Sequence, residues 1–418
     1  MFGLIDGNSF YCSCERAFDP KLRGVPLVVL SNNDGCAIAR TREAKLAGVK
    51  MGDPWHLIKD KPGIKGVVDW RSSNYELYGD MSRRMYQVLE ANFPAVEPYS
   101  IDEMFVDMRG LNDLVGRSHA IRVEVRKAAK IPTCVGIGPT KTIAKLANGI
   151  AKDYHADIGV CDMSTAERRT KLYRDIPLGE VWGMGPQSVK KLAKLGIETV
   201  ADFVAMPSDE VRDILTVTGM RTQAELRGQS CLSLSFAPPP KKMLAVTRSF
   251  GRVITDRAEM REAVATYAEL AGRRLRAAGM VAAGMQVFLM TNRFKPTFPQ
   301  YHPQQTFAIE ATSDTMALIG SATRSVDRMW RDGFRYVKAG IVLLDLHPPS
   351  AFPPSMFPTR DPKRSAVIMR MMDSITDRHG RGAVRIASTA PEGGWSMKRQ
   401  RLSPRYTTNA DEMLQASI

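Results

Sequence analysis

Three consecutive prolines, Pro238 to Pro240, followed by Lys241 and Lys242, interrupt this chain of 418 residues. Proline has no backbone N–H and a fixed φ, so such a run builds neither a helix nor the interior of a sheet. Residues 237–243 therefore read as a linker, and the chain must condense separately on either side of it, with length enough for several domains. A hydrophobic share of 44% beside 25% charged residues supplies ordinary cores. The charge balance is less ordinary. A net charge of +15 and a sequence pI near 9.6 point to a polyanionic partner. No apolar run reaches the roughly 18 residues of a spanning helix. The longest candidate, Gly279 to Met290, is rich in alanine and glycine and broken by Gln286, so no membrane partner is expected. The N-terminus shows neither a basic leader nor a small-residue cleavage site, and the expected location is cytoplasmic. Cys12, Cys14, Cys36, Cys134, Cys161 and Cys231 show no CxxC pairing and no histidines at metal-ligand intervals, as reduced, buried thiols would.

Two acidic elements carry the chemistry. The apolar run Phe2-Gly3-Leu4-Ile5 ends in Asp6, and Tyr99-Ser100-Ile101 leads into Asp102-Glu103. Neighbours in a regular strand point to opposite faces, so Asp102 and Glu103 serve one site only from the apex of a hairpin, between strands over Val96–Ile101 and Met104–Met108. Three carboxylates from two sequence-distant strands are the donor set that holds paired Mg²⁺ ions for in-line phosphoryl chemistry. An isolated acidic turn is more often simply solvated, and only the rest of the chain reverses that weighting.

Residues 1–11 read as a strand and turn, Pro26–Leu30 as a buried strand, 40–47 as a helix, and Asn74–Asn92 as an amphipathic helix closed by Pro94. After a glycine-rich turn at Cys134–Gly138, a helix places Lys141, Lys145 and Lys152 on one face, where they can meet phosphates, with Ile143, Leu146, Ala147 and Ile150 opposite. Val181-Trp182-Gly183-Met184-Gly185-Pro186 precedes a helix with Val189, Leu192 and Leu195 inside and Lys190, Lys191 and Lys194 nearby. That is the outline of a helix-hairpin-helix, whose backbone N–H groups bind a DNA phosphate, and equally of a plain αα-corner. Beyond the linker the order strand, helix, two strands, helix, strand over 244–347 describes a βαββαβ domain with helices on one face. Its Arg248, Arg252, Arg293 and Lys295 are expected on the open face, along a phosphate backbone. A second proline cluster, Pro348 to Pro358, leads to a short apolar helix over Val367–Ile375 and a basic end at Lys398–Arg401 with Arg405.

Longer motifs now join these elements: Asp6 with Asn8-Ser-Phe-Tyr11 and Ser13-Cys-Glu15, then Ser31-Asn-Asn-Asp-Gly-Cys36, Gly48-Val-Lys-Met-Gly-Asp-Pro-Trp55 and Ser73-Asn-Tyr-Glu-Leu-Tyr78. Further on come Tyr99-Ser-Ile-Asp-Glu103, Lys141-Thr-Ile-Ala-Lys-Leu-Ala-Asn148, Arg248-Ser-Phe-Gly251 and Leu402-Ser-Pro-Arg-Tyr-Thr-Thr408. With them the chain resembles, over nearly its whole length, the Y-family translesion DNA polymerases, and among these the UmuC-type catalytic subunits of bacterial DNA polymerase V.

The resemblance implies an α+β multidomain right-hand polymerase. Its palm would be 1–11 and 74–165, small fingers 12–73, a helix-hairpin-helix thumb 166–236, a βαββαβ little finger 244–347, and a partner-binding tail 348–418. It implies two Mg²⁺ held by Asp6, Asp102, Glu103 and the Gly7 carbonyl, and error-prone, SOS-type synthesis past damaged bases. Tyr11 matches the steric gate against a ribose 2′-hydroxyl. Arg42, Lys45, Ser100 and Lys152, with Tyr11, match nucleotide-binding positions, and Ile38 and Cys36 the roof over the nascent pair. DNA would meet Gly183, Gly185, Lys190, Arg248 and Arg252. Implied partners are primer–template DNA, deoxynucleoside triphosphates, a processed UmuD-like dimer, a RecA filament and a sliding clamp. The clamp peptide is degenerate, keeping Met356-Phe357 without a leading glutamine. Gly7 and Cys12 replace commoner valine and alanine, which should loosen local packing. Two alternatives are a catalytically silent DNA-binding accessory factor, disfavoured by the complete carboxylate trio, and another palm enzyme such as a nucleotide cyclase, which has no use for the basic domains.

Overall fold

The computed structural model describes residues 1–153, 158–236, 241–352, 360–380, 382–390 and 393–413. The chain divides into two compact units, one of Met1–Ser31, Gly35–Pro238 and Arg401–Ile418, the other of Asn32–Asp34 and Pro239–Gln400.

The first unit is organised by a sheet whose strands lie in the spatial order Val96–Pro98, Glu103–Asp107, Phe2–Gly7, Thr133–Gly138 and Val160–Asp162. All neighbours are antiparallel except the last pair. Alternation along the strands sorts the two faces. Ile5, Met104, Val106, Val135 and Ile137 join the core formed with the helices Tyr75–Asn92 and Leu114–Ala129. Leu4 and Phe105 turn the other way, against Ala144 of the helix Lys141–Asp153. Asp6 shares that second face with Leu4, directly opposite Glu103 on one neighbouring strand and Cys134 on the other.

The Lys141–Asp153 helix can lie this close because Cys134–Gly138, expected as a glycine-rich turn, lies in the fully buried strand Thr133–Gly138. A Cβ on Gly136 would fall 2.2 Å from the Ala144 carbonyl oxygen, and one on Gly138 would fall 2.7 Å from the Ala144 nitrogen. The two glycines thus let the helix press onto the sheet. Asn148 Nδ2 fastens it there, donating to the Leu4 and Cys134 carbonyls at 3.1 and 3.0 Å. The helix N-terminus already holds an anion from its own chain, since the Thr142 N–H donates to Glu225 Oε2 at 3.1 Å. Ile143, Ala147 and Ile150 pack with Leu192, Val200 and Phe203 of the following helices.

Two local expectations are corrected in this unit. The chain does not continue as a turn through residue 11, because the helix Phe10–Phe18 begins at Phe10 and carries Tyr11 in its first turn. Ser9 precedes it in a left-handed conformation (φ 46°) without a side-chain cap and instead donates its hydroxyl to the Arg40 carbonyl at 2.9 Å. Leu195 is exposed, because the helix Pro186–Ala193 ends before it, whereas Leu192 is buried as expected. A smaller sheet, Ala37–Arg40, Leu27–Leu30 and Asp69–Ser72, packs beside the Phe10–Phe18 helix.

The second unit follows the expected order: Met243–Ile254, helix Arg257–Ala277, Val281–Thr291, Gln304–Thr312, helix Thr315–Met329, Tyr336–His347. Its antiparallel sheet buries one face under both helices. The apolar helix of the tail is longer than expected, Pro362–His379, and pairs its Asp373 with Arg276 at 2.7 Å. Among the described residues no helix is long and apolar enough to cross a membrane. Four of the six cysteines are buried, but Cys36 is half-buried and Cys231 exposed, so the expectation of buried thiols fails at those two.

Candidate active site

Asp102 lies in the turn immediately before the strand Glu103–Asp107, so the two adjacent carboxylates leave the sheet where its alternation begins. Ser100 shapes that turn. Its hydroxyl donates to Asp102 Oδ1 at 2.7 Å and accepts from the Glu103 and Asp102 N–H groups at 3.0 and 3.3 Å. The Gly7 N–H donates to the Asp102 carbonyl at 2.9 Å, stitching the Asp6 strand end to the same turn.

Two lysines of the Lys141–Asp153 helix reach these carboxylates. Lys152 Nζ donates to Asp6 Oδ2 at 2.5 Å, and Lys145 Nζ to both Glu103 oxygens at 2.6 and 2.8 Å. Lys145 also lies over the Tyr99 ring at 4.7 Å and the Trp182 ring at 5.9 Å. Lys141 departs from the expected phosphate-facing set. It is buried, paired with Glu97 and placed over Phe105. The basic helix face is therefore turned inward onto carboxylates. The helical periodicity placed Lys145 on this face but did not reveal Glu103 as its counter-ion.

Burial raises the Asp6 carboxyl to about 6, against the pull of Lys152 and with the like charges of Asp102 and Glu103 adding to the rise. Burial alone would lower the Lys152 ammonium, but Asp6 beside it lifts it above the ordinary lysine value. Asp6 Oδ1 is buried and accepts no hydrogen bond among the described residues. Buried oxygen with no partner is costly, and hard oxygens in this number suit Mg²⁺. Among the described residues no three ligand-type side chains are drawn together as a ready-made metal cluster, and lysine ammoniums hold Asp6 and Glu103. The donors fit a divalent ion that takes over the cationic role of those ammoniums.

Tyr11 is half-buried, its ring stacked on Tyr78 with centroids 4.5 Å apart and planes 17° apart, and edge-on to Tyr75 at 5.9 Å. Burial pushes its phenol up to about 12, with the Tyr75 ring and the Asp102 charge contributing. Arg42 and Lys45 are exposed on the short helix Arg42–Leu46, and their side chains form no ion pair among the described residues. Gly183 (φ 87°) and Gly185 are exposed with open space where a side chain would be, and Lys190 is exposed on the helix they introduce.

Gly7 does not loosen the site. A Cβ there would fall 2.7 Å from the Phe10 ring and 3.2 Å from Ile131. Cys12 likewise is fully buried, against the Leu27 carbonyl. Gly7→Val is accordingly expected to destabilise the protein by about 1–3 kcal/mol through overpacking, read as a lower denaturation midpoint with unchanged slope; an unchanged midpoint would contradict it.

In the second unit the expected cationic face is not formed. Arg248 is register-paired with Ala339, a core residue, and so shares the helix-covered face. Its guanidinium bonds the Thr247 carbonyl at 2.9 Å. Arg252 is paired with Glu259 beyond a register shift in the strand. Arg293 and Lys295 lie in the exposed loop after Thr291. The uncovered face carries Thr247, Ser249, Phe288 and Lys338 instead.

The impB/mucB/samB family matches residues 5–149, its C-terminal domain residues 241–355, and a domain of unknown function residues 366–416. The chain is 41% identical to the ImpB protein of Salmonella typhimurium over 98% of this chain and 97% of that one. It is also 41% identical to UmuC of Salmonella typhimurium strain LT2 over 99% of each. DNA polymerase IV of Moorella thermoacetica is 28% identical over 94% of this chain and 96% of its own. Among solved structures, a Y-family DNA polymerase chimera of Dbh and Dpo4 superposes with a TM-score of 0.63 at 18% identity, covering 83% of this chain and 99% of the chimera. A ternary complex of Dbh DNA polymerase gives 0.54 at 17% identity with the same coverage. With the paired carboxylate strands and this full-length similarity together, the chain has the fold of the Y-family polymerase structures and belongs to the impB/mucB/samB family.

Proposed function

We infer that this protein is a DNA-directed DNA polymerase that carries out error-prone translesion synthesis, with primer–template DNA and deoxynucleoside triphosphates as substrates and a divalent metal requirement. The observation that carries the site assignment is the pairing of Asp6 with Glu103 across adjacent strands, with Asp102 in the turn just before Glu103 and Asp6 Oδ1 left without a partner among the described residues.

In the proposed site Asp6, Asp102, Glu103 and the Gly7 carbonyl would hold two Mg²⁺. Bound there, the metals would lower the pKa of the primer 3′-hydroxyl and offset charge on the triphosphate and departing pyrophosphate. Ser100 keeps Asp102 turned to that position. Lys152 and Lys145, paired with Asp6 and Glu103, would supply positive charge beside the polyphosphate, and exposed Arg42 and Lys45 would add charge from the fingers. Tyr11 is the steric gate under the sugar. The Gly183–Gly185 hairpin and Lys190 would take backbone phosphates, and Arg248 and Arg252 contribute to DNA binding only if their present partners are exchanged. The palm, fingers, thumb and little finger are assigned with the boundaries given above. The UmuC-type resemblance extends the proposal to a processed UmuD-like dimer, a RecA filament, a sliding clamp and a cytoplasmic location; Met356 and Phe357 lie outside the described residues. Primer extension over an abasic template, with and without such an activating partner, tests the reading, and template-independent activity would overturn it.

Asp6 also sets a pH dependence. Its folded pKa, about 6, lies above the ordinary aspartate value of 3.8. Ionised Asp6 is thus the disfavoured form in metal-free protein, whose stability falls as pH rises from about 4 to about 6 and is then level with respect to this group. Metal needs the carboxylate. Mg²⁺ is expected to raise Tm clearly at about pH 7.5 and little at about pH 5; equal shifts at both would count against Asp6 as a ligand.

A further inference from the structure

The segment matched by a domain of unknown function belongs to the first unit from Arg401 onward. Its docking is built from backbone and side chain together. The Ser72 N–H donates to the Arg401 carbonyl at 3.0 Å, the Arg401 N–H donates to Ser72 Oγ at 3.1 Å, and Leu402 pairs with Ser72 as a parallel bridge. Arg401 also pairs with Asp69 at 2.6 Å, and Tyr406 stacks on Phe18 with centroids 4.9 Å apart.

Between these anchors lies Ser403, 7% exposed. Asn74 Nδ2 donates to its carbonyl at 3.1 Å and to its hydroxyl oxygen at 3.0 Å. Ser403 Oγ in turn donates to Glu15 Oε1 at 3.0 Å, the same oxygen that accepts the Tyr78 hydroxyl at 2.7 Å. Glu15 is 1% exposed and forms no ion pair among the described residues. Burial pushes its carboxyl up, and the hydroxyls of Tyr78 and Ser403 pull it back. A buried carboxylate deprived of a donor is costly, so both hydroxyls are held to it. Tyr78 is fully buried, and its ring is the surface on which Tyr11 stacks.

We propose that Ser403 of the tail, acting through Glu15 and Tyr78, fixes the plane of Tyr11, so that the C-terminal end of this chain is a positioning element for sugar selection. A ring excludes a 2′-hydroxyl only as firmly as its backing resists tilting, and here the backing is tethered at one carboxylate oxygen shared with the tail. The inference rests on the assignment of Tyr11 as the sugar gate.

The test compares incorporation of matched ribo- and deoxyribonucleotides by the full-length chain as Ser403→Ala, Tyr78→Phe, their double variant, Ser403→Thr and Tyr11→Ala. Ser403→Ala and Tyr78→Phe should each reduce selectivity for deoxyribonucleotide about tenfold, equivalent to about 1.4 kcal/mol, while deoxyribonucleotide efficiency falls by less than about threefold. The double variant should lose little more than either single one, because both act through one oxygen. Ser403→Thr, which keeps the hydroxyl, should restore selectivity. If Tyr11→Ala shifts the ratio and Ser403→Ala does not, or if the two effects multiply, the positioning role is wrong. If Tyr11→Ala leaves the ratio unchanged, the gate assignment itself fails. Should Ser403→Ala not accumulate as folded protein, Tyr78→Phe carries the same comparison.

Discussion

Asp102→Ala is expected to lose nucleotide incorporation by about 10³-fold or more, since in the proposed site it removes a metal-holding carboxylate and with it several kcal/mol of transition-state charge stabilisation. Of the three carboxylates it gives the cleanest test. Asp6 and Glu103 are paired with Lys152 and Lys145, so replacing either also strands a lysine. Asp102 forms no ion pair among the described residues and accepts from the Ser100 hydroxyl. Its charge contributes to raising Asp6, so its removal relieves repulsion in the metal-free protein. The variant should therefore match or exceed the parent in Tm and bind primed DNA nearly as well, while failing to extend it. Robust extension by a preparation free of contaminating polymerase would remove Asp102 from the site.

The pairing of faces at this site was legible in the sequence because it depends on short-range rules. Strand alternation puts Asp102 and Glu103 at a hairpin apex, and the structure has Glu103 as the first strand residue with Asp102 in the turn. The βαββαβ order and the helix capped by Asn74 follow from equally local periodicity. What the sequence concealed were partners far along the chain. Periodicity showed that Lys141, Lys145 and Lys152 share a face, but nothing local said that Glu97, Glu103 and Asp6 would meet them there. Gly136 and Gly138 look the same in a turn and in a strand pressed against a helix backbone. Only the contact at 2.2 Å distinguishes them. Arg248 stands in regular register on the helix-covered face, Arg252 lies beyond the register shift in Met243–Ile254, and Arg293 falls past the end of its strand, none of which a short periodic pattern shows. The bond from Ser403 to Glu15 spans a separation of 388 residues, beyond any pattern rule.

Tyr11→Ala should act selectively. The phenol, pushed up to about 12, is neutral at any working pH. A discrimination that belongs to the ring is therefore steric, and Tyr11→Phe should preserve it. Removing the ring deletes an obstacle to the ribose hydroxyl without touching a metal-holding group. Selectivity for deoxyribonucleotide over ribonucleotide is expected to fall on the order of a hundredfold, the scale on which a packed site rejects one extra group, with a smaller loss of deoxyribonucleotide efficiency. Some stability is lost as well, because the stack on Tyr78 at 4.5 Å contributes about 0.5–1.5 kcal/mol beyond area burial. That loss separates the gate from its support. A variant defective only in support, such as Tyr78→Phe, keeps the Tyr11 ring and should lose only about tenfold in selectivity, against on the order of a hundredfold for Tyr11→Ala. Comparing the two nucleotide efficiencies for Tyr11→Ala, Tyr11→Phe and the parent decides the matter, and an unchanged ratio in the alanine variant would mean that another side chain bars the ribose.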